Sequence, residues 1–355
     1  MSVSFNLGVL QLSMEPVRET VAMAKACEQA GFDAFWVAEA YPWWRKHSFE
    51  ARSSTAILAV IAAATRRLQL GWGIISPYSR HPVQIAMEAR VMQELAADRF
   101  LLGLGASKIF MKEIGEESGE KVGPATVMRE SIEIVRGVLQ GDRFQYQGKV
   151  FAANVPPLKP DARTPRGTPP IYLAATGPVL QKMSGSIADG LLTASITTPA
   201  FVRHSRKNME AGARRAERDP STLILGSVIV GSISRDSSKG KAGAREQAAM
   251  YLANKVENIG RTADVLLECA GLSLEELRPV ADAMERGGRT AAAKAVSDAL
   301  LTKVCPIAGT PEECIERIRE YREAGCTHIM LEIWGDDRIG QAKLFGEAVV
   351  PYVRS

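Results

Sequence analysis

VRETVAMAKACEQAGFDAFWVAE, residues 17–39, and PEECIERIREYREAGCTHIMLEI, residues 311–333, are two copies of one joint. In the first, Val17, Val21, Ala24 and Cys27 recur at helical spacing, Gly31 follows where a helix ends, and FDAFWVAE reads as a short apolar strand. In the second, Ile315, Ile318 and Tyr321 keep the same period, Gly325 ends the helix, and CTHIMLEI is the strand. Helix, glycine, strand at both ends of a 355-residue chain predicts one architecture running through all of it.

Working outward, six further apolar runs bring the strands to eight: NLGVLQL (6–12), RLQLGWGII (67–75), RFLLGLG (99–105), PIYLAAT (170–176), GLLTAS (190–195) and LILGSVIVG (223–231). Helical patterns at 51–66, 82–97, 123–139, 178–187 and 199–217 separate most of them. Strands alternating with helices imply a parallel sheet covered by helices. Eight such units favour a closed (β/α)8 TIM-like barrel over an open doubly wound sheet, with residues 1–355 as a single barrel domain. Two segments interrupt the rhythm. Residues 141–169, rich in Gly, Pro and aromatics, read as a hairpin and an extended loop, and residues 236–304 as a helical excursion before the last strand. Both are too long for ordinary connections, and insertions of this kind after strands often cover an active site.

Composition narrows the function classes. The chain is 46% hydrophobic and 24% charged, an ordinary globular balance. A net charge of +4, from 44 basic and 40 acidic residues spread along the chain, argues for neither nucleic acid nor membrane as partner. The opening MSVSFNLGVLQLSMEP has no basic n-region, and no run reaches the roughly 18–20 apolar residues of a membrane span. Five scattered cysteines without a CxxC pair read as reduced thiols of a cytoplasmic protein and give no metal site. No Ser-His-Asp, HExxH or Walker pattern supports a hydrolase or nucleotidase.

Several loops after predicted strands carry polar groups. AATGP (174–178) lies between a strand and a helix, where N–H groups around Thr176 and Gly177, the Thr176 hydroxyl and the helix dipole suit a phosphate; the same letters are also an ordinary helix start. WWRKH (43–47) follows the second strand: Trp43, Trp44 and Arg45 either line a substrate pocket or clasp an acidic tail, or form a plain loop with solvated charges. Arg80-His81 reads as structural, at a helix start. Gly73 is a strand glycine, suited to a bulge or a close approach.

AGFDAFWVAE (30–39), LGWGIISPYSRHP (70–82), RFLLGLGAS (99–107), MRESIEIVRGVLQGDRFQYQGKVF (128–151), PIYLAATGP (170–178), IADGLLT (187–193) and AGTPEECIERIREYREAGCTHIMLEIWG (308–335) stand in one order, and that order is specific where no single motif is. With them the chain resembles the luciferase-like superfamily, most closely its methylenetetrahydromethanopterin reductase-like branch. The resemblance implies a barrel that binds the 5-deazaflavin coenzyme F420, or FMN, at the C-terminal ends of its strands. It implies a non-prolyl cis bond between Gly73 and Ile74 beneath the cofactor ring. It implies phosphate contact at Ala175, Thr176 and Gly177, a homodimer, and in some members a separate cofactor reductase.

Three positions depart from the family. Where deazaflavin-dependent alcohol and sugar-phosphate dehydrogenases carry Asp-His, this chain has Glu39-Ala40; where they carry an acid after the fourth strand it has Lys108; where the methanopterin reductases carry a first-strand Glu it has Leu10, followed by Gln11. Glu39 is then the expected cofactor contact or proton handler, Lys108 an anion contact or donor, and His47 a replacement imidazole. The expected activity is hydride transfer between F420 and an organic small molecule. An FMN-dependent monooxygenase and a flavin-binding paralogue without catalysis are the alternatives.

Overall fold

Both joints fold as their spacing predicts. In the computed structural model, which describes residues 3–39, 50–106, 122–158, 167–194, 196–257 and 263–354, helix α1 (Val17–Gln29) stops at Ala30 and Gly31 takes φ +83°. The Phe32 N–H donates back to the Cys27 carbonyl at 3.1 Å and the Gly31 N–H to that of Glu28 at 3.3 Å. This pair of bonds satisfies the last helical carbonyls and needs a left-handed residue, which costs glycine little. The distant joint repeats it bond for bond. Gly325 has φ +97°, the Cys326 N–H donates to Tyr321 at 3.0 Å and the Gly325 N–H to Arg322 at 2.9 Å.

The strands are β1 (Asn6–Leu12), β2 (Ala34–Ala38), β3 (Gln69–Trp72), β4 (Phe100–Gly105), β5 (Phe144–Gln147), β6 (Ala152–Val155), β7 (Ile171–Ala174), β8 (Gly190–Thr193), β9 (Ile224–Ile233), β10 (Ile307–Gly309) and β11 (His328–Ile333). Eight of them, all but β5, β6 and β10, close a parallel barrel in the order β1-β2-β3-β4-β7-β8-β9-β11 and back to β1. Leu10 pairs with Trp36 across β1–β2, Val9 with Leu331 across β1–β11, and Gly190 with Ile224 across β8–β9. Alternate residues point inward: Leu10, Trp36, Leu101, Tyr172, Leu192, Val228 and Met330 fill the interior, with the Trp36 and Tyr172 rings edge to face at 5.5 Å. The other faces pack beneath α1, α2 (Ser54–Ala64), α3 (Pro82–Ala96), α4 (Pro124–Gln140), α5 (Pro178–Ile187) and α6 (Pro199–Arg215).

The first interruption is an antiparallel hairpin, β5 with β6, whose tip is held by the buried Glu130 of α4: its carboxylate accepts the N–H groups of Lys149, Val150 and Phe151 at 2.7, 3.0 and 2.9 Å. The second holds α7 (Ser237–Glu257), α8 (Ala263–Ala270), α9 (Leu274–Ala295) and α10 (Asp298–Val304). Its apolar side packs with Leu12, Met14, Ile196, Val230 and Trp334, residues at the C-terminal ends of β1, β8, β9 and β11, so it lies over that end of the barrel. It returns through β10, a strand that the three letters IAG give no periodicity to reveal. Gly231 pairs with Ile333 on one edge of β9 and with Ile307 on the other, so β10 runs beside β9 beyond the stretch that β8 occupies. After α11 (Pro311–Glu323) and β11, α12 (Arg338–Ala348) and α13 (Val350–Val353) finish the chain. No described helix is long and apolar enough to cross a membrane.

Candidate active site

At the C-terminal ends of β3, β4, β7 and β8 lies a cavity of about 670 Å³, lined by Ile74, Gly105, Ala106, Ala174 to Leu180, Leu192 and Ala194. The Gly73–Ile74 peptide bond is cis, as the family resemblance implies. On either side of it the chain is pinned: the Gly73 N–H donates to Val37 at 3.0 Å, the Ile75 N–H to Gly103 at 3.0 Å, and the Glu39 N–H to Ile74 at 3.4 Å. A Cβ on Gly105 would stand 2.8 Å from the Ile74 side chain, so glycine there keeps this wall low. Small residues among the branched aliphatics Ile74, Val179, Leu180 and Leu192 make a largely apolar cavity, suited to an apolar ring ligand.

The loop from β7 to α5 closes one end. Of the three expected phosphate contacts, Ala175 spends its N–H on the Leu192 carbonyl at 3.0 Å and serves as wall. Thr176 and Gly177 have no such commitment among the described residues, and Gly177 is the N-cap of α5 with Pro178 next. No side chain caps this helix, so its first-turn N–H groups and its dipole face the cavity end. Gln181 steadies the turn, donating to the Thr176 carbonyl at 3.1 Å and to Ser205 at 2.9 Å.

Glu39 follows β2 beside Ile74, with both oxygens engaged. Ser54 donates to it at 2.8 Å and Arg80 at 2.7 Å, and the side chain is 8% exposed. Arg80 also stands 3.6 Å from Glu88, which accepts from Thr55 at 3.0 Å. The carboxylate thus ties the segment after Ile74 to the start of α2. His81 caps α3 by accepting the Val83 N–H at 3.2 Å, the structural role its position in the sequence suggests. Trp43, Trp44, Arg45, His47 and Lys108 lie outside the described residues.

On the β1–β11 side of the same barrel end a second cavity, of about 270 Å³, is lined by Leu10, Gln11, Leu12, Met14, Glu332 and Trp334 among others. Glu332 points inward, in step with Met330, and is 3% exposed. Its carboxylate accepts from Tyr251 at 2.5 Å and Gln247 at 2.9 Å, one turn apart on α7. Burial raises the Glu332 pKa; burial and the neighbouring Glu332 raise that of Tyr251. Arg289 of α9 lies 5.0 Å over the Trp334 ring, and a turn beyond Tyr251 burial draws the Lys255 pKa down to about 8. Sequence reasoning missed this cluster. Its one signal is a lone charge at an inward position of an otherwise apolar strand. Among the described residues no group of His, Cys, Asp and Glu is placed to hold a metal.

Comparison with known proteins agrees with this architecture. The 5,10-methylenetetrahydromethanopterin reductase of Archaeoglobus fulgidus is 28% identical over 338 residues, 93% of this chain and 94% of that protein. The F420-dependent glucose-6-phosphate dehydrogenase of Rhodococcus erythropolis is 27% identical over 344 residues, covering 95% and 94%. The structure of the coenzyme F420 dependent tetrahydromethanopterin reductase from Methanopyrus kandleri superposes with a TM-score of 0.85 at 26% identity, covering 99% of this chain and 100% of that one. The family described as luciferase-like monooxygenase matches residues 1–328. With eight parallel strands closed and the match spanning most of its length, the chain belongs to the luciferase-like monooxygenase family.

Proposed function

We propose that this protein is an oxidoreductase that passes a hydride between coenzyme F420 and an organic small molecule. The observation that carries the reading is the apolar cavity beside Ile74, ending at an uncapped helix N-terminus, in a chain similar to proteins two of which are named for F420. Bound there, the coenzyme supplies the carbon that gives or takes the hydride. The protein's own residues do the rest. Ile74 backs the ring and Gly105 leaves it room; Thr176, Gly177 and the first turn of α5 hold the phosphate; Glu39 and Arg80 keep the Ile74 segment in place; and the excursion over the barrel end excludes water.

The same reading carries one barrel domain with two insertions, a homodimer, a cytoplasmic site of action, supported by five unpaired cysteines, and in the cell a separate enzyme that regenerates the cofactor. Titration with F420 and with FMN tests it. F420 binds and FMN does not, and Gly177→Leu, at a backbone conformation (φ −89°, ψ 151°) open to any residue, weakens F420 binding while apoprotein unfolding stays unchanged. Binding of FMN alone makes the protein a flavin monooxygenase instead; binding without turnover on a broad substrate panel makes it a non-catalytic paralogue.

A further inference from the structure

The geometry points to Glu332 as the acid that gives the acceptor its proton, from a substrate site on the β1–β11 side of the barrel mouth. This rests on the hydride-transfer reading above. Glu332 stands one inward step beyond Met330, and the pairing of Val9 with Leu331 puts it next to Leu10 across the β1–β11 seam. Leu10 in turn reaches the cofactor bed: its Cδ1 is 3.0 Å from where a Cβ on Gly73 would be. A single side chain therefore separates the bed from the acid. Gln11, on the opposite face of β1 from Leu10 and 9% exposed, also lines the cavity that Glu332 and Leu10 share, and its Oε1 has no hydrogen-bond partner among the described residues.

The other carboxyls around this cavity are committed elsewhere or lie at its rim. Glu15 pairs with Arg338 at 2.8 Å, and Asp337 caps α12 by accepting the Gly340 N–H at 2.8 Å. Glu19 and Asp336 line its outer part, away from the barrel interior. Glu332 alone of these is fixed at both oxygens by neutral donors, Tyr251 and Gln247. Arg289, the charged group that faces this pair from α9, sits over Trp334. The chemistry balances. The hydride and its electron pair join the carbon of a C=C, C=N or C=O bond, the π pair moves to the neighbouring atom, and that atom takes the proton from the Glu332 carboxyl. The O–H pair stays on the carboxylate, which solvent reprotonates; the reduced cofactor is oxidised by two electrons and the acceptor reduced by two. A neutral carboxyl can donate where a carboxylate cannot, and burial keeps this one neutral to higher pH.

Dicyclohexylcarbodiimide, an apolar reagent that adds to protonated carboxyls, tests this on the full-length protein without any substrate. At neutral pH Glu332 is labelled, as mass spectrometry reads it, and the infrared spectrum contains a protonated-carboxyl C=O band that disappears in Glu332→Gln and shifts in Tyr251→Phe. Glu332→Gln binds F420 as wild type does. No label on Glu332, or no such band in the wild-type protein, overturns the assignment with no variant needed. If wild type binds no F420, the hydride-transfer reading falls and the donor role with it, whatever the label shows. If Glu332→Gln alone loses F420, Glu332 belongs to the cofactor site and the donor role is wrong.

Discussion

Glu39 and Glu332 are both carboxyls at the C-terminal end of a barrel strand, and their surroundings divide the work between them. Glu39 pairs with a guanidinium at 2.7 Å and anchors the segment after Ile74; Glu332 accepts from a phenol and an amide. Glu39→Gln keeps the size and removes the charge that Arg80 needs. Hydrogen bonds to charged groups contribute about 1.5–3 kcal/mol, so the variant should lose about 2 kcal/mol in urea unfolding, and its F420 affinity should fall as the Ile74 segment loosens. Unchanged stability with a fall in kcat alone would return Glu39 to proton handling. Glu39 is legible through the family resemblance, because it stands after the second strand where related dehydrogenases carry Asp-His. Glu332 is not, because the helix that buries and holds it contributes residues 81 and 85 positions upstream, and no local pattern encodes that distance.

At the scale of elements, what can be read without coordinates is whatever repeats locally. The two glycine-closed joints, the eight strands and the helices between them follow from period and punctuation. Thr310 and Glu313 add a reciprocal cap at the start of α11, satisfying N–H groups at both ends of the turn. The final joint is testable on its own. Gly325 sits at φ +97° with Arg206 close by, where an added Cβ would be 3.3 Å from Nε, so Gly325→Ala should cost about 1–2 kcal/mol in thermal or urea unfolding. An unchanged midpoint would mean the joint relaxes into another closing turn. The excursion is harder to read. Its helices are rich in Ala, Lys, Arg and Glu, α9 carries Pro279 and bends at Gly288 (φ +66°), and β10 is three residues long. Composition says that it is helical; only packing says what it covers.

At the scale of the whole molecule, an apolar stripe is left uncovered among the described residues. On α3 the inward face is Ile85, Ala89, Met92 and Ala96, while Met87, Val91 and Leu95 line the outer face at 64%, 51% and 42% exposed, with Val60 of α2 at 48%. Spacing of four residues on one helix makes a continuous ridge, and exposed apolar ridges mark contact surfaces. It supports the homodimer, so Met87→Glu with Val91→Lys should turn a dimer into a monomer in analytical ultracentrifugation with its circular dichroism unchanged; a wild type that sediments as a monomer would refute the dimer outright. The excursion has a consequence of another kind. Gln247 and Tyr251 ride on the same helix that roofs the barrel mouth, so the segment that shapes the entrance also sets the strength of an acid on a strand outside it. A change within residues 236–304 would therefore alter the doorway and the proton affinity in one stroke, while the apolar cavity at Ile74 on the far strands stays as it is.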